Sequence, residues 1–388
     1  MNAKAAKGAA RPSGRKHAGR SREWVRAFWN DITDHLEMME LWRQFKSEAR
    51  EGYGLYSRDV DWAKVEKTRG VGRYWTMGWL LFQAMLMKLT PARRVLLLAA
   101  LFFVLFNPTI YGKNSRIEFA PLGGVILFML LALELADRIT MKRDLEIARD
   151  VQRRLLPTEP PEVPGFDLSF AMRAQNTVAG DYYDAIFPLP ARAQGANPGL
   201  LVTIADVAGK SMPAALLMAT FQASLDTLVA AGASMEELAL GLNRYTSAHS
   251  MGGMRFTTAF LAEIDVMSLQ TRYVNAGHNP PILLRASGAI ERLSEGGMPF
   301  GIFANIGHPC ATITLEHGDR LVMFTDGVVE AEDENGDEYG EDRLLAQVKS
   351  GAADNAGELV RRIMADVDRF AGAARQHDDI TCFALRVL

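Results

Sequence analysis

The chain has 388 residues, of which 48% are hydrophobic and 23% charged, and its formal net charge is −3. This length is enough for one large domain and an additional module. The nearly balanced charge excludes a general affinity for nucleic acid, and two cysteines, Cys310 and Cys382, are too few for a disulfide framework.

Residues 1–22 are predicted to form a disordered basic arm, because they contain seven Lys or Arg and no acidic residue. An anionic membrane surface suits this arm better than nucleic acid does, since apolar segments follow it. Residues 23–91 are predicted to be a helical region without a catalytic pattern. One helix face in it is formed by Ile32, Leu36, Met39 and Trp42.

The stretch 75–89 is apolar but contains Gln83 and Lys88, and its aromatic residues suit a lipid headgroup region. We interpret it as an interfacial helix. An additional membrane span stays open as the alternative.

Residues 92–137 are predicted to form a transmembrane helical hairpin. Two apolar stretches, 95–111 and 119–135, each approach the roughly 17–25 residues needed to cross a bilayer. Arg93 and Arg94 precede the hairpin, and Arg138, Lys142 and Arg143 follow it. These cations place both outer ends in the cytoplasm. The sequence thus predicts a multi-pass protein of the inner (plasma) membrane with its C-terminal domain in the cytoplasm. Two buried helices of a soluble domain remain the alternative.

Residues 138–157 are predicted to be a linker helix that ends at Pro157. Its apolar seam has the four- and three-residue spacing of a short coiled coil and consists of Met141, Leu145, Ala148, Gln152 and Leu155. This spacing favours a homodimer formed through the linker. Two heptads are few, so a plain spacer helix stays open.

Residues 158–388 alternate β-rich runs with amphipathic helices, which predicts an α/β domain of antiparallel strands. Helices are predicted near 212–229, 235–247 and 356–371. Strands are predicted near 256–264, 271–275 and 311–315.

Four acidic signatures carry the chemistry of this region. They are Ala179-Gly180-Asp181-Tyr182-Tyr183-Asp184, Ala205-Asp206-Val207-Ala208-Gly209-Lys210, Phe324-Thr325-Asp326-Gly327 and His377-Asp378-Asp379-Ile380-Thr381. At least three place an acid at the end of a predicted strand, where a rigid sheet can direct several carboxylates to one point. Converging carboxylates repel each other, and such clusters usually hold hard divalent cations such as Mg²⁺ or Mn²⁺. Two such ions roughly 3.5–4 Å apart generate a bridging hydroxide that attacks a phosphate ester.

Each of these residues also has an ordinary structural interpretation. Asp326 before Gly327 is typical of a turn, Asp206 of a helix cap, and Asp181 and Asp184 of a loop. For His278 we favour a structural hydrogen bond over proton donation. Lys210 is more typical of a solvated lysine than of a phosphate ligand.

The order and the residues of these signatures resemble the motifs of the metal-dependent protein phosphatase (PPM) family. The resemblance is to the branch of the bacterial sporulation stage II E and sigma-regulator phosphatases. The resemblance extends from about residue 145 to the end and includes Ala276-Gly277-His278-Asn279-Pro280-Pro281 and Gly297-Met298-Pro299-Phe300-Gly301. It implies an αββα sandwich, two antiparallel sheets flanked by helices, after an α-helical membrane region. It also implies a centre of two Mn²⁺ or Mg²⁺ ions. The implied metal ligands are Asp181, Asp206, Asp326, Asp378 and the main-chain carbonyl of Val207, with Asp379 as the alternative to Asp378.

The sequence departs from the family pattern at two places. Ala179-Gly180 stands where paired glycines are common, and Gly209-Lys210-Ser211 replaces a pattern with glycine at the third position. Both replacements are tolerated at negative φ and cost energy at positive φ.

These patterns together predict a membrane-anchored serine/threonine protein phosphatase. By resemblance, the phosphoprotein substrate is a STAS-type anti-sigma antagonist. Two alternatives are a catalytically degenerate protein that binds a partner, and a metal-dependent hydrolase of a small phosphorylated metabolite.

Overall fold

A computed structural model describes residues 71–111, 116–189, 198–250, 255–351 and 354–388. The predicted basic arm and the helix face from Ile32 to Trp42 lie outside these residues. The chain divides into two compact units, Met1–Leu135 and Ala136–Leu388.

The described part of the first unit is mainly helical. It contains α1 (Val71–Lys88), α2 (Pro91–Phe106), the antiparallel pair β1 (Thr109–Tyr111) and β2 (Arg116–Glu118), and the first part of α3 (Ala120–Leu155). Pro91 suits the first position of α2, where no N–H partner is needed. Asn107 ends α2 in the left-handed conformation, as helix C-termini often do.

Helices α2 and α3 pack closely in this unit. A Cβ at Gly123 of α3 would lie 2.8 Å from the carbonyl oxygen of Ala100, so glycine permits the contact. Glu134, the acidic residue in the second apolar stretch, forms an ion pair of 3.5 Å with Arg93. The remaining faces of both helices expose large apolar side chains, among them Phe102, Leu105, Phe128 and Leu131.

Two helices among the described residues are long and apolar enough to cross a membrane, α3 and a later helix, Met212–Ala230. In α3 the apolar window is 6% buried, whereas Met212–Ala230 packs in a folded core through Met218, Phe221 and Leu225. Helix α2 has 16 residues and is shorter than a typical span. The length and composition of α3 therefore indicate membrane association.

The second unit begins with the last part of α3, which ends at Leu155, two residues before Pro157. Its strands are β3 (Phe166–Arg173), β4 (Tyr182–Ile186), β5 (Gly199–Val207), β6 (Thr257–Asp265), β7 (Gln270–Ala276), β8 (Ile282–Leu284), β9 (Ile290–Arg292), β10 (Gly296–Gly297), β11 (Ala311–Thr314), β12 (Arg320–Phe324) and β13 (Ile380–Val387). Its further helices are α4 (Met212–Ala230), α5 (Met235–His249), α6 (Asp326–Val329), α7 (Glu341–Ser350) and α8 (Ala356–Ala371).

The strands form two sheets. The first has the order β10-β7-β6-β5-β4, with β11 also paired to β7, and the second has the order β3-β13-β12-β8-β9. All pairs are antiparallel except β10 with β7.

Alternation along β12 shows how the layers stack. Leu321 and Met323 belong to the core shared with the first sheet and with α4 and α5. Val322 and Phe324 belong to a second core with α7 and α8. Successive strand residues point to opposite faces, so the second sheet is covered on both sides. The predicted αββα sandwich is confirmed.

The three predicted helices of this unit are present as α4, α5 and α8, with ends within two residues of the expected ones. Both α5 and α8 begin with a capping box, from Ser234 to Glu237 and from Asn355 to Glu358. Helix α7 was not predicted. With ten residues, it is too short for a strong periodic signal.

Candidate active site

The four predicted acids lie at one end of the sandwich. Asp181 directly precedes β4 and Asp206 is the penultimate residue of β5, and the register Tyr182↔Ala205 places these two strand ends side by side. In the second sheet, Phe324 pairs with Cys382, so the end of β12 lies beside the start of β13. Asp326 and Asp378 flank these two strand ends.

The electrostatics of the acids show that they are close together. Burial and, to a smaller extent, the charges of Asp326, Asp378 and Asp379 together raise the pKa of Asp206 to about 7. Burial raises the pKa of Asp181 well above its usual range, and the charges of Asp206 and Asp379 add to this effect. The pKa of Asp326 is raised by burial and then by Asp378. We call Asp181, Asp206, Asp326 and Asp378 the acid cluster.

Asp181 is the buried member of the acid cluster, with 1% of its surface exposed. The hydroxyls of Thr325 and Thr381 both donate to its Oδ2 atom, the former at 2.9 Å. Both threonines belong to the second sheet side of the sandwich, so these bonds connect Asp181 across the two sheets. This role of the two threonines was not predicted from the sequence, although each lies within two residues of an acid in the same motif.

Asp378 and Asp379 have different surroundings. The two carboxylate oxygens of Asp379 accept the N–H groups of Gln175 at 2.7 Å and Gly180 at 2.6 Å. Asp379 therefore fastens the segment before Asp181 to the second sheet. Asp378 is more exposed, and its Oδ2 atom lies 3.0 Å from Nζ of Lys210. Of the two, Asp378 has the carboxylate better placed for an external cation.

Two glycines allow the close approach of the main chain around the acid cluster. A Cβ at Gly327 would lie 2.0 Å from the carbonyl oxygen of Asp379, which is an impossible contact. A Cβ at Gly180 would lie 3.2 Å from the carbonyl oxygen of Val207 and 3.7 Å from Oδ1 of Asp206. The Val207 carbonyl, the fifth predicted ligand, is thus next to the acid cluster.

The two departures from the family pattern differ in backbone strain. The first of them to consider is in the loop after β5. Gly209 has φ of +117° and Ser211 has φ of +65° with ψ of −151°. Ser211 therefore occupies a region that glycine adopts easily and other residues adopt under strain. Ala179 has no such strain, because its φ is negative.

Lys210 reaches the acid cluster instead of standing free in solvent. Its Nζ atom contacts Asp378 and donates to the carbonyl of His377 at 2.5 Å, while about half of the side chain stays exposed. The structure thus places a cation at the open side of the acids, where the sequence favoured a solvated lysine.

His278 is a buried residue near the acid cluster. Its Nδ1 atom and the hydroxyl of Thr258 are 3.0 Å apart, and its main-chain N–H donates to Oδ1 of Asn275. Burial lowers the pKa of His278 to about 4, so the imidazole is neutral at pH 7. These contacts agree with the structural interpretation, because a neutral buried imidazole is a poor proton donor.

A cavity of about 440 Å³ opens beside the acid cluster. Lys210, Gly327 and Asp378 line it on the side of the acids. Its charged lining elsewhere is mixed, with Arg173, Arg375 and His377 facing Glu330, Glu332, Glu338 and Asp368. A ligand in this cavity would thus meet both cationic and anionic side chains next to the acids.

The chemistry of the donors fits hard divalent cations. The acid cluster offers carboxylate oxygens and one main-chain carbonyl, which Mg²⁺ and Mn²⁺ prefer. The raised pKa of Asp206 reflects a concentration of negative charge that a cation would relieve. In the described part of the chain, no three His, Cys, Asp or Glu side chains are already arranged as a complete metal-binding group.

The two stacked sheets, the flanking helices and the acids at one end define the class of protein phosphatases with the PP2C fold. Residues 197–388 match the family model described as Stage II sporulation protein E (SpoIIE). These residues form a SpoIIE-type PP2C phosphatase domain, of the kind found in the sporulation and sigma-regulator branch of the metal-dependent protein phosphatase (PPM) family. Asp206, Asp326 and Asp378 lie within the matched residues, and Asp181 precedes them.

Two phosphatases and one solved domain are also similar to this chain. Phosphoserine phosphatase RsbU of Bacillus subtilis is 29% identical over 247 residues, which are 63% of this chain and 70% of RsbU. Phosphoserine phosphatase RsbP of the same organism is 26% identical over 64% of this chain and 58% of RsbP. The SiaA-PP2C domain of Pseudomonas aeruginosa has the same fold, with a TM-score of 0.55 at 20% identity over 65% of this chain and 98% of that domain.

Proposed function

We propose that this chain is a membrane-anchored, metal-dependent phosphatase that hydrolyses phosphoserine or phosphothreonine in a protein. The observation that carries this proposal is the acid cluster, in which burial and mutual repulsion raise the pKa values of Asp181, Asp206 and Asp326. Such an arrangement is costly for a purely structural role, because among the described residues no cation compensates Asp181 or Asp206, and the charge of Lys210 only partly offsets the repulsion at Asp326.

Two Mn²⁺ or Mg²⁺ ions are the cofactors in this proposal. Asp181, Asp206, Asp326, Asp378 and the Val207 carbonyl would hold them. Bound ions of this kind activate water for attack on phosphorus and neutralise phosphoryl charge. The protein contributes position: Thr325 and Thr381 orient Asp181, and Asp379 holds the segment that precedes it.

The cavity beside the acid cluster is the proposed binding place for the phosphorylated segment. Lys210 and Arg375 supply positive charge next to Asp378 there. RsbU and RsbP are named phosphoserine phosphatases, which supports a phosphoserine protein as substrate. A STAS-type anti-sigma antagonist is the specific substrate that we propose from the family resemblance.

Membrane anchoring rests on the apolar exposed surface of α2 and α3. We propose that residues 92–137 form a hairpin in the inner membrane, with the phosphatase domain in the cytoplasm. Residues 138–157, which include the end of α3, would be a linker that pairs in a homodimer. Alkaline carbonate extraction of membranes tests the anchoring: the full chain is expected in the pellet. Release into the supernatant would contradict it.

The test of the catalytic proposal is Mn²⁺-dependent hydrolysis of p-nitrophenyl phosphate and of a phosphoserine peptide by the full chain in detergent. Asp206→Asn and Asp326→Asn are expected to lose at least about 100-fold in turnover, since each removes a proposed ligand. Asp342→Asn is the matched control, because Asp342 is an exposed acid in the first turn of α7. Folded protein without turnover and without metal binding would favour the degenerate, partner-binding alternative. Preference for a sugar phosphate over the peptide would favour the metabolite hydrolase.

A further inference from the structure

A second cavity lies at the opposite end of the second sheet from the acid cluster. Strand β12 runs from Arg320 toward Asp326, and β13 runs from the Asp378 side toward Arg386. At about 3.3 Å per residue, these strands separate the two arginines from the acids by roughly 20 Å. A ligand in this cavity would therefore not contact the acid cluster.

The cavity has a volume of about 370 Å³ and a strongly basic lining. Its charged lining residues are Arg285, Arg320, Lys349 and Arg386, and the others are apolar residues or glycines. The lining contains no acidic residue. The cavity is thus cationic, in contrast to the mixed charge of the cavity beside the acids.

Arg285 is already neutralised by protein groups. Its guanidinium donates to both carboxylate oxygens of Glu291 and to Asp319 at 2.8 Å. It also donates to the carbonyl of Thr314. Arg285 therefore shapes the cavity wall and has little capacity left for a ligand.

Arg320 and Arg386 lie directly opposite each other in the β12–β13 ladder. Cross-strand partners share a face of the sheet, so two like charges are held next to each other, which is destabilising without a counter-charge. Burial lowers the pKa of Arg320, and the charge of Arg386 lowers it further. Only 7% of Arg320 is exposed. The Nε atoms of both arginines are buried without a hydrogen-bond partner in the described structure.

The available counter-charge is small. Asp354 stabilises the charged form of Arg320, but its carboxylate is 2.6 Å from Arg362 and is thus shared. Arg386 donates to the main-chain carbonyl of Asp354, which carries no net charge. Lys349, at the end of α7, adds a further cation to the rim and forms no ion pair within the part of the chain that the structure describes.

We propose that this cavity binds a small phosphate-bearing molecule through Arg320, Arg386 and Lys349. Guanidinium groups match the geometry of phosphate oxygens, and a dianion between two arginines removes their repulsion. The volume is at the lower end of the range for small-molecule sites, which suits a ligand of about mononucleotide size.

The test is titration of the full chain in detergent with inorganic phosphate, with EDTA present to keep the acid cluster free of metal and with sodium chloride holding ionic strength constant. Calorimetry and thermal unfolding give the readouts. Phosphate is expected to bind and to raise Tm. Arg386→Gln is expected to weaken binding about tenfold and Lys349→Gln about threefold, because a charged hydrogen bond contributes more when it is less exposed. Both variants leave the buried Arg320 in place.

Arg361→Gln is the matched control, since Arg361 is an exposed cation of α8 outside the cavity lining. Asp326→Asn tests whether the cavity is separate from the acid cluster. Both variants are expected to bind phosphate as the unchanged chain does.

AMP is expected to bind at least as tightly as phosphate. The proposal is overturned if phosphate has no effect beyond that of chloride, or if Arg386→Gln and Lys349→Gln respond as the unchanged chain does. Binding of a phosphoserine peptide but not of AMP would also overturn it.

Discussion

Gln152, near the end of the long helix α3, forms two hydrogen bonds with the main chain of Ala179. Its Nε2 atom donates to the Ala179 carbonyl at 2.7 Å, and its Oε1 atom accepts from the Ala179 N–H at 2.9 Å. Gln152 is 7% exposed, so water does not replace these bonds easily. The helix that the sequence identifies as a linker is thereby connected to the segment that contains Asp181.

Replacing Gln152 with Ala should destabilise the protein and weaken its affinity for Mn²⁺. The change leaves a buried N–H and a buried carbonyl without partners, at a cost of about 1–3 kcal/mol for each group. Urea denaturation and Mn²⁺ titration measure the two effects. Arg153→Ala, on the exposed side of the same helix, is the control and should change neither. Unchanged stability of Gln152→Ala would show that the two hydrogen bonds contribute little.

Gly327→Ala should abolish metal-dependent turnover and lower stability. The new Cβ would be placed 2.0 Å from the Asp379 carbonyl oxygen, so either Asp326 or the Asp378-Asp379 segment must move. Overpacking of this kind costs about 1–3 kcal/mol or more. Thermal unfolding and Mn²⁺-dependent hydrolysis are the measurements.

The control for this change is Gly357→Ala in α8, where a Cβ meets no atom closer than 3.4 Å. Alanine there should keep activity and stabilise the helix by up to about 1 kcal/mol. Full activity of Gly327→Ala would contradict the close approach described for the acid cluster.

Ser211→Gly should stabilise the protein. Ser211 has φ of +65° and no side-chain capping bond, so its Cβ imposes strain without a compensating contact. Release of about 1–3 kcal/mol of strain exceeds the roughly 0.5–1 kcal/mol that glycine costs through the unfolded chain. Ser211→Ala is the matched variant, because it removes the hydroxyl and keeps the Cβ. If alanine stabilised as much as glycine, strain at this position could not be the cause.

Local patterns predicted an α/β domain of antiparallel strands with acids at strand ends, whereas the αββα sandwich and the full set of four acids were implied by the family resemblance. Apolar runs ending in Asp206 or Asp326 indicate strand ends, and antiparallel pairing brings such ends together. The contacts of Thr325 and Gln152 with distant residues could not be predicted, since they depend on how two sheets and a helix pack. The strain at Ser211 was anticipated as a cost that depended on the sign of φ, which only the structure supplied.

Lys210→Met should increase the affinity of the acid cluster for Mn²⁺. The lysine ammonium lies 3.0 Å from Asp378, and its charge lowers the pKa of Asp326, so it competes with an incoming cation. Because this lysine is partly exposed, we expect a gain of roughly two- to fivefold. Calorimetric titration with Mn²⁺ gives the affinity directly. Lys210→Arg keeps the charge and should bind Mn²⁺ as the unchanged protein does. Equal or weaker binding by Lys210→Met would mean that Lys210 does not compete with the metal.

The buried imidazole of His278 should make the free energy of unfolding depend on pH between about pH 4 and pH 6.5. Burial lowers its pKa to about 4 in the folded protein, against about 6.5 in the unfolded chain. Below about pH 6.5 the unfolded chain takes up the proton first, so the contribution of His278 is complete above that pH and is lost as the pH falls toward 4. Between pH 7.5 and pH 5 this loss should reach about 2 kcal/mol.

Urea denaturation of the unchanged protein and of His278→Gln at both pH values isolates the contribution of His278, since all other groups titrate in both proteins. Glutamine preserves a side-chain partner for Thr258, so the variant should be less dependent on pH over this range. An identical pH dependence of the two proteins would mean that His278 keeps an ordinary pKa in the folded state.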